Sequence, residues 1–118
     1  LEGHPGVAQT IFPGLPTNPG HAAAARQMKR FGGMVSFIVA AGAATAHELV
    51  ARTEVFTLAE SLGAVESLIE VPAAMTHLSV AGSALAVDPA LVRLSVGLES
   101  IDDLIADLAQ AFEGLSAV

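Results

Sequence analysis

Arg93 has the setting that most asks for chemistry. It lies inside the apolar run Leu91-Val92-Arg93-Leu94-Ser95-Val96. Strand alternation puts Val92, Leu94 and Val96 on one face and Leu91, Arg93 and Ser95 on the other. If the first face packs on helices, the guanidinium emerges on the second. There it needs an anion or water, because a buried unpaired charge is strongly destabilising. A guanidinium grips a carboxylate through a two-bond fork, so one reading is a clamp for a substrate carboxylate. The other is a structural ion pair or a wet sheet face, the commoner fate of a lone strand arginine. Glu60-Ser61 comes second, in a loop bounded by Gly63. A carboxylate beside a hydroxyl can orient an amine and an acid, and the same pair also makes an ordinary turn.

The remaining polar residues point to less. His4, His21, His47 and His77 lack the i, i+4 pairing and the accompanying carboxylate spacing of a metal site. Gly32-Gly33 follows a helix instead of opening one, so it terminates rather than cradles a phosphate. The chain has no cysteine, which excludes disulfides, thiolate zinc sites and cysteine nucleophiles. The acidic stretch from Glu99 to Glu113 reads as a solvated face. Arg26, Lys29 and Arg30 read as cations compensating a helix dipole. No nucleophile–base pair is visible.

The elements that position these groups follow from patterning. Val7 to Phe12 reads as a strand, and four of the six prolines stiffen the chain from Pro5 to Pro19. Asn18-Pro19 looks like a helix start, and the alanines from Ala22 to Ala25 propagate it toward Gly32-Gly33. Met34 to Ala40 reads as a strand buried on both faces. Thr45 with Glu48 three residues on predicts a capping box and a short helix to about Arg52. Val55 to Leu58 and Val65 to Val71 are further strands, the second ended by Pro72. Residues 76 to 90 read as a surface loop. Ser100, with Asp103 as reciprocal partner, caps a last helix. Its Ile101, Leu104, Ile105, Leu108 and Phe112 make one apolar face, with Asp102, Asp103, Asp107 and Glu113 opposite. Short strands with three helices predict an α+β fold: a small, mainly antiparallel sheet covered on one face by helices.

Composition sets the bounds. The 118 residues are enough for one domain and one core. Hydrophobic residues make up 53% and charged ones 14%. The chain is therefore too apolar to be disordered and short of surface charge, as if its surface expects a partner. Twelve acids against five bases give a net charge of −7, which argues against nucleic acid. No apolar run reaches the length of a membrane span. The chain opens on Leu1, no signal-peptide pattern follows, and it reads as a piece of something longer.

Several stretches, in order, carry a resemblance. They are Phe12-Pro13-Gly14-Leu15-Pro16 with Pro19 after it, Gly32-Gly33-Met34-Val35, and Leu58-Ala59-Glu60-Ser61-Leu62-Gly63. Glu66-Ser67-Leu68 and Pro72-Ala73-Ala74-Met75-Thr76-His77 follow, then Arg93-Leu94-Ser95-Val96-Gly97-Leu98-Glu99 before the final helix. Together they resemble the C-terminal domain of the cystathionine γ-synthase/γ-lyase family, the pyridoxal-phosphate enzymes of cysteine and methionine metabolism. The resemblance implies a parent enzyme with a large cofactor domain ahead of this substrate-side domain, residues 1–118. It implies that the arginine matching Arg93 binds the α-carboxylate of the amino-acid substrate. The serine matching Ser61 would lie beside the cofactor lysine and the substrate. Glu60 matches an acid of members that handle cystathionine, and Thr76 matches a threonine near the same pocket.

The same resemblance implies a cytoplasmic homotetramer acting on a homoserine ester, cysteine or cystathionine. One departure stands out. The only lysine, Lys29, does not match the Schiff-base motif, and there is no tyrosine to stack on the cofactor. The chain is therefore expected to be an inactive fragment that binds no pyridoxal phosphate and no metal. The loop between His77 and Leu91 is shorter than in many members. The expected parent is a cystathionine γ-synthase of methionine biosynthesis. The alternatives are a cystathionine γ-lyase of the same transsulfuration chemistry and a non-catalytic self-association module.

Overall fold

The computed structural model describes residues 1–75, 82–84 and 86–115. In chain order the elements are β1 (Val7–Ile11), α1 (His21–Gln27), β2 (Met34–Val39), α2 (Ala43–Ala51) and β3 (Thr57–Leu58). Then come β4 (Leu68–Glu70), α3 (Pro72–Met75), β5 (Leu91–Ser95) and α4 (Ile101–Phe112). Five strands form one sheet in the order β1-β2-β5-β4-β3. Every pairing is antiparallel except β3 with β4. The α+β reading of the sequence is thus what the chain adopts.

Register sorts the side chains into two faces, because residues directly opposite on neighbouring strands point the same way. Phe37 pairs with Val92, and Val35 pairs with Leu94, which pairs with Ile69. These residues pack with Ala46, Leu49 and Val50 of α2 and Leu104 and Ala111 of α4 into the core. The other face carries the row Ile11, Ser36, Arg93 and Glu70. Ser95, opposite Met34 and Leu68, lies in the next row on that same face. This second face is not bare. Leu68, Glu70 and Ser95 are buried there, so β2, expected to be covered on both sides, is less enclosed than β4.

Several local expectations give way to stronger neighbours. Asn18 accepts a bond from the Gly20 N–H (2.9 Å) in a turn before α1, and the helix begins only at His21. It ends at Gln27 because Met28 is extended, leaving Lys29 and Arg30 outside it. Gly32-Gly33 therefore does not stop a helix. The Gly33 carbonyl instead accepts from the Val96 N–H (2.8 Å) and brings the chain alongside β5. Thr45 caps nothing. Gly42 takes a φ of 93° that turns β2 directly into α2, and its carbonyl accepts the Ala46 N–H. Ser100 does stand at the N-cap of α4, but its side chain makes no capping bond. β4 is shorter than its apolar run: ahead of it the Val65 carbonyl accepts from the Leu98 N–H, beyond the end of β5.

The largest departure concerns Asp107. It does not belong to a solvated face, since it is only 4% exposed. Its carboxylate accepts from the backbone N–H groups of Glu54 (2.7 Å), Val55 (2.9 Å) and Phe56 (2.9 Å), and from the Gln110 amide (3.0 Å). Burial alone would push this acid up. The bonds from Glu54, Phe56, Gln110 and Val55 outweigh it and hold the pKa below the ordinary value. α4 thereby staples the turn that delivers Phe56 to the core and starts β3. The opposite departure is on the apolar face of α4. Leu104 is buried, while Ile101 and Ile105 are 63% and 59% exposed.

Candidate functional site

β5 supplies the cation. Its alternation drives Val92 and Leu94 into the core and puts Arg93 on the other face, as the pattern predicts. The competing reading of Arg93 is also realised. Its Nη2 makes an ion pair with Oε1 of Glu70, directly across the β4–β5 ladder. The two ends of the pair differ. The Arg93 side chain is 19% exposed and that of Glu70 only 2%. A guanidinium carries five N–H donors, and Glu70 is its one ion-pair partner among the described residues. The guanidinium thus has more donors than this contact uses, on a side chain that still reaches solvent.

The loop that carries Glu60 and Ser61 is fixed at both ends to this neighbourhood. On one side the Ala59 N–H bonds to the Ile69 carbonyl (3.1 Å). On the other the Gly63 N–H bonds to Oγ of Ser95 (2.8 Å), two residues along β5 from Arg93 and on the same face. Between these anchors Glu60 and Ser61 are exposed. Thr76 lies outside the described residues, as does His77.

A second knot sets the entry to β4 against the exit from β5. Gly97 approaches so closely that a Cβ there would stand 2.3 Å from the Val65 carbonyl oxygen. Its N–H donates to Oγ of Ser67 (2.8 Å). Ser67 in turn donates its N–H (2.6 Å) and its hydroxyl (2.8 Å) to the Glu99 carboxylate. These Ser67 bonds hold the Glu99 acid below its usual pKa. Glu99 is therefore an anchor and not part of a solvated acidic face.

Sequence reasoning missed Glu70, Ser95, Ser67 and Glu99. A signal for Glu70 was present: a lone acid inside Leu68-Ile69-Glu70-Val71 needs a cation. The others are invisible without the fold, because their partners lie about thirty residues away in the chain.

Chemically, the arrangement can bind and orient an acid. An arginine does not exchange protons at ordinary pH, and the one acid that faces it among the described residues, Glu70, is tied to it as an ion pair. Among the described residues no group of three or more His, Asp or Glu side chains could hold a metal. The residues do not fit pyridoxal phosphate either. Lys29, the only lysine, is exposed in the segment between α1 and β2 and does not match the family's Schiff-base motif.

The family model for Cys/Met metabolism PLP-dependent enzymes matches residues 1–113. The chain belongs to this family. It is 62% identical over 111 residues to a cystathionine gamma-synthase of Mycobacterium leprae, covering 94% of this chain and 29% of that protein. A cystathionine gamma-lyase of Dictyostelium discoideum is 48% identical over 116 residues, covering 96% of this chain and 30% of the relative. Among solved structures, a cystathionine gamma synthase from Xanthomonas oryzae pv. oryzae in complex with cystathionine superposes with a TM-score of 0.87 at 50% identity. That match covers 94% of this chain and 30% of the other. The chain thus spans about a third or less of the length of the relatives it matches.

Proposed function

We propose that this chain is the substrate-side, C-terminal domain of a pyridoxal-phosphate-dependent cystathionine γ-synthase. The parent would exchange the γ-substituent of an activated homoserine ester for cysteine, giving cystathionine. The observation that carries this reading is the 62% identity to a protein named for that activity. The Xanthomonas structure, described as a complex with cystathionine, agrees with it. By the same resemblance the parent is a cytoplasmic homotetramer, and the cofactor is held by residues outside this chain.

The role assigned here is orientation. Arg93 receives the substrate's α-carboxylate on its solvent side. The loop with Glu60 and Ser61, fixed through Ser95, lines the neighbouring wall, and Thr76 is assigned to the same pocket by the family resemblance. None of these groups moves a proton or forms a bond to the substrate. Without the family's Schiff-base lysine motif, the isolated 118 residues are catalytically inactive. Detectable γ-replacement by the purified chain alone would contradict this.

A second reading, cystathionine γ-lyase, is favoured by the 48% identity to a relative of that name. Steady-state rates of the full-length protein separate the two. A synthase turns over an O-acyl-homoserine with cysteine faster than it cleaves cystathionine, and a lyase does the reverse. A dedicated self-association module is favoured only by exposed apolar side chains, among them Val65, Leu98, Ile101 and Ile105. Light scattering that finds the isolated chain a monodisperse monomer would remove it.

A further inference from the structure

We propose that Glu70 is a positioning residue for Arg93: an internal counter-carboxylate that holds the guanidinium in place and competes with the substrate's acid for it. This rests on the reading of Arg93 as the carboxylate-binding group, and it adds what sets the strength of that grip.

Three observations carry it. Glu70 and Arg93 are direct cross-strand partners, so the contact is imposed by sheet register and not by a chance rotamer. The acid is almost wholly buried while the cation still reaches solvent, so an incoming carboxylate meets Arg93 and never Glu70. The chain neighbours of Glu70, Leu68, Ile69 and Val71, are apolar and buried. An apolar pair at such a place would commonly be as stable or more so, so stability alone does not account for an ion pair here. Its distinctive effect is to fix a flexible cation and to moderate its field.

The consequence has a definite sign. With Glu70 ionised, the cation is already part-compensated when substrate arrives, and the grip is firm in direction but moderate in strength. Glu70→Gln keeps the shape and an acceptor oxygen while removing the charge. The free protein then holds an uncompensated cation, and the substrate's carboxylate supplies the missing charge. Binding tightens.

The test uses the full-length holoenzyme with Glu70→Gln, Arg93→Ala and the double variant. The substrate is the O-acyl-homoserine that the enzyme turns over, and the inhibitor is its α-carboxamide. Glu70→Gln is expected to lower KM for the acid about five- to tenfold, the margin between charge-assisted and neutral hydrogen bonding. It should leave inhibition by the carboxamide unchanged, and its effect should vanish in the Arg93→Ala background. A KM that is unchanged or raised, or an effect that persists without Arg93, overturns the proposal. The two levels separate cleanly. If Arg93→Ala itself leaves KM unaltered, the reading of Arg93 as the substrate clamp falls. If Arg93→Ala raises KM while Glu70→Gln changes nothing, only the role of Glu70 falls. Should Glu70→Gln not fold, Glu70→Asp keeps the charge but draws it back by one methylene. Arg93 then loses its fixed position and KM rises, whereas an unchanged KM with Asp counts against the proposal.

Discussion

Asp107 and Glu70 are both buried acids, 4% and 1% exposed, but they are held in different ways. Asp107, on the helix-covered side, is held by three consecutive backbone N–H groups and an amide, all fixed by the fold. Glu70, on the other side, faces a side-chain cation that also reaches solvent. Backbone donors cannot turn to a ligand without unfolding their segment. A guanidinium with several donors can serve two acids at once. The first carboxylate is a staple. The second sits beneath a group that can bind.

Substitutions sharpen that contrast, and the largest effect is expected at Arg93. In the full-length enzyme Arg93→Ala would remove the proposed charge-assisted fork to the substrate, worth about 2–5 kcal/mol, read as a steep rise in KM with the cofactor's absorbance little changed. Asp107→Ala should instead act on stability alone. Three backbone N–H groups, that of Phe56 buried, lose their acceptor at a cost of about 2–4 kcal/mol, seen as a lower denaturation midpoint with KM unmoved. A KM change in that variant would erase the distinction between the two acids.

Gly97→Ala comes next. The overlap with the Val65 carbonyl forces the 64–67 segment outward, costing about 1–3 kcal/mol and raising the protease sensitivity of the 59–66 loop. Ser95→Ala is milder. It removes the acceptor of the Gly63 N–H, a loss of about 1 kcal/mol, and loosens the loop bearing Glu60 and Ser61. A few-fold fall in kcat/KM is expected.

The smallest effect is the pH dependence of stability. Asp107 and Glu99 both have lowered folded-state pKa values. Their contribution is complete above the unfolded carboxylate pKa, about 4, and is lost as pH falls through the lower folded values. Asp107→Asn should flatten that acid limb of the stability curve. An unaltered limb would mean that the staple carries no linkage.

The sheet was legible because it rests on local alternation. Val92 and Leu94 point where a period of two puts them. Arg93 was legible for the same reason, as an exception within an apolar strand. Asp107 was misread because helical periodicity places it among exposed acids, and only the 54–56 turn, some fifty residues away, brings it donors. The helix starts failed in a related way. Thr45 and Asn18 are good caps in isolation, but Gly42 and the proline-rich turn had already set the chain's direction. Ser61 and Glu60 were legible as a pair, while the Ser95 and Ile69 anchors that hold their loop depend on the ladder between β4 and β5.

The central claim is that Arg93 recognises an acid. It is tested most directly by the ratio of affinities of the full-length enzyme for its amino-acid substrate and for the matching α-carboxamide, with and without Arg93. The wild type should prefer the acid strongly, and Arg93→Ala should bring the ratio close to one. A variant that keeps the full preference for the acid would leave Arg93 as no more than the partner of Glu70.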